Sequence, residues 1–143
     1  MALNVPRIVK ASETALVATE EAVAQFARYH RYATGHKLRQ DAWAVAALAR
    51  KAWVSRDART ERITELSDAI DELKLTLQIA QRLRAFRSFK QFEALIRLVS
   101  DLGRQCGSWQ RSRLKGQNRE TQSSLGRART LSARDASAQG ANP

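Results

Sequence analysis

The sequence predicts an all-α protein: an antiparallel four-helix bundle over residues 12–112, preceded by a short N-terminal extension, 1–11, and followed by a disordered basic tail, 113–143. Three observations carry this prediction. The two prolines, Pro6 and Pro143, lie at the ends, and only six glycines occur, so nothing between them forbids long helices. Apolar residues recur at helical spacing in four separate stretches. One of these, Ile63, Leu66, Ile70, Leu73, Leu77 and Ala80, steps alternately by three and four, which is the seam of a left-handed helix pair.

The first helix is expected from about Ser12 to Arg28, with Ser12 as N-cap, Glu13 in the first turn, and Leu16, Val17, Val23, Ala24 and Phe26 on the buried side. Gly35 interrupts a polar and aromatic stretch, Tyr29 to Lys37. The second helix then occupies roughly Thr34 to Val54, with Leu38, Ala42, Val45, Ala46, Leu48, Ala49, Ala52 and Trp53 apolar. The third carries the seam, with Glu61, Glu65, Asp68, Asp71, Glu72 and Lys74 on its wet sides and Ser55 or Asp57 as its cap.

Ser88 and Gln91 form an S-x-x-Q capping box, so a fourth helix starts just after a turn around Arg84 to Arg87. Its apolar face reads Phe92, Leu95, Ile96, Val99, Leu102, Gly103, Cys106 and Trp109. A mid-helix glycine costs about 1 kcal/mol against alanine, which predicts a close backbone neighbour at Gly103. Beyond Arg113 no apolar face can be drawn, and Gln, Ser, Gly, Ala and Arg dominate.

With 143 residues and 43% hydrophobic content, one core is expected. Lys and Arg number 25 against 14 Asp and Glu, a formal net charge of +11. Residues 111–143 hold seven basic and two acidic side chains, +5 of that total, and residues 1–110 hold the other +6. Such an excess predicts salt-sensitive association with nucleic acid or an acidic protein surface. The lone Cys106 excludes an intrachain disulfide and a four-cysteine zinc site, and implies a reducing compartment. The most apolar run, Ala42 to Ala49, is far too short to span a membrane. A soluble, cytoplasmic protein is expected, with neither cofactor nor metal.

Four blocks resemble the accessory variability determinant (Avd) proteins of diversity-generating retroelements: F-A-R-Y-H-R-Y-A-T-G-H-K-L (Phe26 to Leu38), D-E-L-K-L-T-L-Q-I-A (Asp71 to Ala80), F-R-S-F-K-Q-F-E (Phe86 to Glu93) and, most specifically, L-G-R-Q-C-G-S-W (Leu102 to Trp109). The resemblance implies a barrel-like homo-oligomer, a pentamer of four-helix protomers. It also implies a non-enzymatic role in which a basic surface binds a reverse transcriptase, its template RNA and its cDNA. The basic face of the family's third helix falls on Lys74 here, with the neutral Gln78 one turn later.

Two basic clusters are the candidate binding residues. Arg82, Arg84, Arg87 and Lys90 surround Phe86 and Phe89 at the junction of helices three and four, where cations and rings together suit phosphates and bases. Arg28, Arg31, Lys37 and Arg39, with Tyr29 and Tyr32, lie at the junction of helices one and two. In an antiparallel bundle these junctions share one end. Arg97 and Arg104, two turns apart, extend a stripe along helix four. The alternative for every one of these cations is solvated surface, with the phenylalanines closing the bundle.

The only enzyme-like pattern, Arg31 to His36, resembles the Arg-x4-His motif of HEPN-type ribonucleases. A general helical interaction protein without a retroelement is the other alternative. Trp43, Trp53 and Trp109 read as core or subunit-interface residues, and the Ala-rich second helix leaves apolar surface for self-association. Cys106 reads as a small buried hydrophobe rather than a nucleophile.

Overall fold

A computed structural model describes residues 4–140, with side chains described as far as Arg127, so residues 141–143 of the expected tail lie outside the described residues. The chain is all-helical, with α1 (Arg7–Ala24), α2 (Arg28–Arg31), α3 (Thr34–Val54), α4 (Arg59–Arg82) and α5 (Phe89–Gly140), and no strand occurs among the described residues. It divides into two units, Met1–Gln110 and Arg111–Pro143.

The first unit is built on one apolar cluster. Every residue of the three-four seam on α4 is buried, from Ile63 at 1% exposure to Ala80 at 0%. Val9 and Val23 of α1, Leu38 and Val45 of α3, and Leu95, Val99 and Leu102 of α5 join them. Cys106 sits in the same cluster, its thiol 3.7 Å from the Ile63 carbonyl.

α1 starts five residues before the expected Ser12. Ile8 and Val9 continue the apolar face toward the N-terminus, and Pro6, whose ring fixes φ near the helical value, supplies the boundary. Ser12 is therefore an interior residue, fully buried, that donates back to the Val9 carbonyl at 2.6 Å. The helix also ends earlier than expected, at Ala24, and the chain turns through the buried Phe26 into the short α2.

α3 occupies the expected span. α4 begins after Ala58, and neither Ser55 nor Asp57 caps it. Arg59 secures this turn from the other side, donating to the Ala52 and Trp53 carbonyls at 3.0 and 2.7 Å and so satisfying groups left open at the end of α3. Its guanidinium also lies 6.0 Å from the centre of the Trp109 ring.

α4 ends in a Schellman motif, with Ala85 N–H bonded to Ala80 O and Arg84 N–H to Gln81 O, both at 3.0 Å. Arg84 takes the left-handed position at φ 59°, where glycine is usual. Half of the predicted capping box opens α5: Ser88 Oγ accepts from Gln91 N–H at 3.2 Å, while Gln91 Oε1 accepts from the N–H of Arg87, one residue before the cap, at 3.3 Å rather than from Ser88.

The close neighbour of Gly103 is a side chain rather than the expected backbone. A Cβ there would meet Lys74 Nζ at 2.6 Å and Ile70 Cγ2 at 3.8 Å. α5 also does not end near Arg113. Its helix runs on through a stretch free of proline, although residues 114–127 are all exposed and bury no face.

Candidate nucleic-acid interface

The α1–α3 and α4–α5 connections, which carry the two expected basic clusters, touch each other in the Met1–Gln110 unit. Phe26, just before α2, packs edge to face on Phe86 of the α4–α5 loop with ring centroids 5.0 Å apart. Phe86 in turn leans on Phe92, and Phe92 on Phe89. Beside these rings Gln25 accepts from Gln91 Nε2 at 3.1 Å and from Arg87 Nη1 at 3.5 Å, which fastens the end of α1 to the start of α5. Gln25 carries no pattern that marks it in the sequence, because its partners lie more than 60 residues away.

Cations flank these rings along the chain. Arg28, Arg82, Arg84 and Lys90 are exposed, and among the described residues none of them forms an ion pair. Arg87 is exposed as well, and among the described residues its guanidinium engages the neutral Gln25 and no carboxylate. Tyr29 and Tyr32, at 86% and 72% exposure, present rings to solvent on the same connection. Exposed cations interleaved with exposed rings suit a single-stranded polyanion, in which phosphates and bases alternate.

The remaining candidates are engaged within the fold. Arg31 donates to the Ala24 and Phe26 carbonyls at 3.1 and 3.3 Å, closing the C-terminal end of α1. Lys37 bridges Asp41 and Glu72, each at 2.6 Å, and Asp41, buried, also accepts from Thr76 Oγ1 at 2.5 Å. The bonds to Asp41 and then Glu72 hold the Lys37 ammonium above its ordinary pKa. Arg39 pairs with Glu20 at 2.8 Å, and Trp43 Nε1 donates to the same carboxylate at 2.9 Å. Burial alone would raise the Glu20 carboxyl; the bonds from Arg39 and Trp43 outweigh it and hold the pKa below the usual value. Lys74 lies against Gly103, while Arg97 and Arg104 pair along α5 with Glu93 and Asp101 at 3.2 and 3.4 Å.

The tryptophans divide. Trp53 and Trp109 pack on the core, whereas Trp43 is 57% exposed on α3. Cys106 is buried, and burial first, then the Asp71 charge, push its thiol pKa to about 11. Among the described residues no cluster of His, Cys, Asp and Glu is fit to hold a metal ion, and no helix is long and apolar enough to cross a membrane. No protein-family model matches the chain, and no curated protein matches it.

Proposed function

We propose that this protein is a non-enzymatic accessory subunit of a diversity-generating retroelement. In this reading an antiparallel four-helix protomer assembles into a barrel-like homo-oligomer, a pentamer by resemblance to the Avd proteins, and binds a reverse transcriptase with its template RNA and cDNA in the cytoplasm. The observation that carries it is the junction of Phe26 and Phe86, flanked in the chain by the exposed cations Arg28, Arg82, Arg84 and Lys90, which form no ion pair among the described residues. Arg84 adds weight: a non-glycine residue in left-handed backbone carries a conformational cost of about 1 kcal/mol, and this corner nevertheless presents a cation.

The test is salt-dependent RNA binding. Replacing Arg84, Arg87 and Lys90 with Ala together should weaken binding and lower the slope of log K against log salt by roughly 0.7 for each single-strand phosphate that the protein no longer neutralises. Unchanged affinity would place the binding surface elsewhere. The ribonuclease alternative needs Arg31 and His36 on one phosphate, but Arg31 is committed to the end of α1. The reading expects His36→Ala to leave RNA intact and binding unaltered; an RNA-cleaving activity that His36→Ala abolishes would replace it with the enzyme.

A further inference from the structure

The chain's two tyrosines, Tyr29 and Tyr32, are its most exposed aromatic side chains, at 86% and 72%, and the core makes no use of them. Neither joins the apolar cluster, and neither hydroxyl forms a hydrogen bond among the described residues. The phenylalanines nearby behave differently: Phe26 and Phe86 are buried, and Phe92 packs on the core. Tyr29 meets His30 edge to face with centroids 5.1 Å apart, a contact that leaves its ring almost wholly in water. Burial therefore does not account for two rings three residues apart.

The backbone that carries them is held firmly. The Ala27 carbonyl accepts from His30 and Arg31 N–H at 2.9 and 3.0 Å, which closes the turn of α2. Arg31, between the tyrosines, donates to the Ala24 and Phe26 carbonyls and ties α2 to the end of α1. Gly35 lets α2 lie close on the start of α3, since a Cβ there would meet the His30 carbonyl oxygen at 3.2 Å and the Phe26 ring at 3.4 Å. Residues three apart on a helical turn are neighbours on its surface, so Tyr29 and Tyr32 stand side by side on a fixed support. A support already ordered loses little freedom when a ligand binds.

We infer that Tyr29 and Tyr32 form a stacking platform for unpaired bases and make this protein select single strands over duplex. Every base has a π-face, so stacking on a tyrosine ring needs no particular sequence. Arg28, beside Tyr29 in the chain, is exposed and forms no ion pair among the described residues, and it supplies a cation for the phosphate that accompanies a stacked base. In a duplex the base faces are already covered by their neighbours in the stack, and only the phosphates remain to be bound. The roles therefore divide: the cations give affinity that falls with salt, and the tyrosines give a preference for unpaired bases that does not. The inference rests on the nucleic-acid reading above and deepens it by assigning the part of the ligand that cations cannot read.

The experiment measures fluorescence anisotropy of nuclease-treated full-length protein on three probes: an unstructured RNA strand, an abasic strand with the same number of phosphates, and a duplex of the same RNA sequence. The intact chain is expected to bind the base-bearing strand about tenfold or more tighter than the abasic one for each base stacked. Tyr29→Ala with Tyr32→Ala should erase that preference and leave the slope of log K against log salt unchanged. Tyr29→Phe with Tyr32→Phe should keep the preference, because the ring face is retained. Both tyrosines are exposed, so the variants should fold, and circular dichroism checks it. Equal binding of base-bearing and abasic strands by the intact chain, a duplex bound as tightly as the single strand, or an unaltered preference in the alanine variant each overturns the inference. So does an alanine variant that loses salt slope in place of base preference, since the tyrosines would then only shape the cationic surface. The variant with Arg84, Arg87 and Lys90 replaced by Ala separates the two claims. If it binds as tightly as the intact chain while the tyrosine variant loses base preference, the cations have been misplaced and the platform stands; if it loses slope while the tyrosine variant changes nothing, the platform falls and the reading stands.

Discussion

Phe26 and Phe86, sixty residues apart in sequence, meet edge to face at 5.0 Å, and both are buried. This pairing turns two separate basic connections into one surface. Phe86→Ala should therefore lower stability by about 3 to 5 kcal/mol, combining the burial given up, the cavity left behind and the missing ring pair. Denaturant unfolding measures it, and a change below about 1 kcal/mol would show that the rings do not hold the junction together.

Two glycines respond oppositely to the same substitution. At Gly35 a new Cβ would meet Val23 Cγ1 at 2.7 Å and the His30 backbone oxygen at 3.2 Å, neither of which moves freely. At Gly103 the obstacle is the end of the Lys74 side chain, which can swing away. Gly35→Ala should cost roughly 1 to 3 kcal/mol by overpacking, whereas Gly103→Ala should be neutral or raise stability by up to about 1 kcal/mol through helix propensity. Thermal midpoints of the two variants, measured side by side, decide it.

These pairs also mark how far the sequence can be read. The α4 seam is legible because burial falls on every step of a three-four repeat, and the Ser88–Gln91 box because its signal is local. The start of α1 is misread because Ser12 looks like a cap while Ile8 and Val9 already extend the buried face. Arg84 is illegible as a helix terminator because glycine normally marks that conformation. Arg31, Lys37 and Arg39 look like surface cations, and only the fold brings Arg31 to the α1 carbonyls, Lys37 to Glu72 and Arg39 to Glu20.

Three groups with shifted pKa values couple the stability of the fold to pH. The Glu20 pKa is depressed, so its bonds contribute fully above the ordinary value of 4.5 and are lost as the pH falls through the folded value below it. The Lys37 pKa is raised, so its bridge contributes fully below 10.5 and is lost as the pH rises through the folded value above it. Lys37 and Arg39 are half-exposed, at 48% and 47%, which limits the effect of both pairs. Cys106 acts more strongly: between 9.0 and about 11 the unfolded thiol ionises while the folded one stays protonated, so stability falls as pH rises through that window. A Cys106→Ser variant that loses stability just as steeply there would refute this assignment. At pH 8 the native thiol should resist a disulfide reagent and react fully once denatured.

Truncation after Arg113 should leave the thermal midpoint within about 2 °C, because residues 114–127 are exposed throughout and contribute no side chain to the core. Protease should cleave beyond Arg113 long before it attacks the Met1–Gln110 unit. A fall of about 5 °C or more would mean that the C-terminal stretch supports that unit.

Arg84 separates stability from function at a single position. Its φ of 59° suits glycine, and its N–H already makes the Schellman bond to Gln81, so Arg84→Gly removes strain without removing that bond. Glycine also frees the unfolded chain, which offsets part of the gain, so the net change should be about +0.5 kcal/mol or slightly less. Arg84→Ala keeps the strain and should leave stability nearly unchanged, since the side chain is exposed and unpaired among the described residues. If the cation at this corner touches RNA, both variants weaken binding equally and flatten its salt dependence equally, although they differ in stability. A binding change that tracked stability instead, with Arg84→Gly binding better than Arg84→Ala, would mean that the residue shapes the loop and that the charge itself is idle.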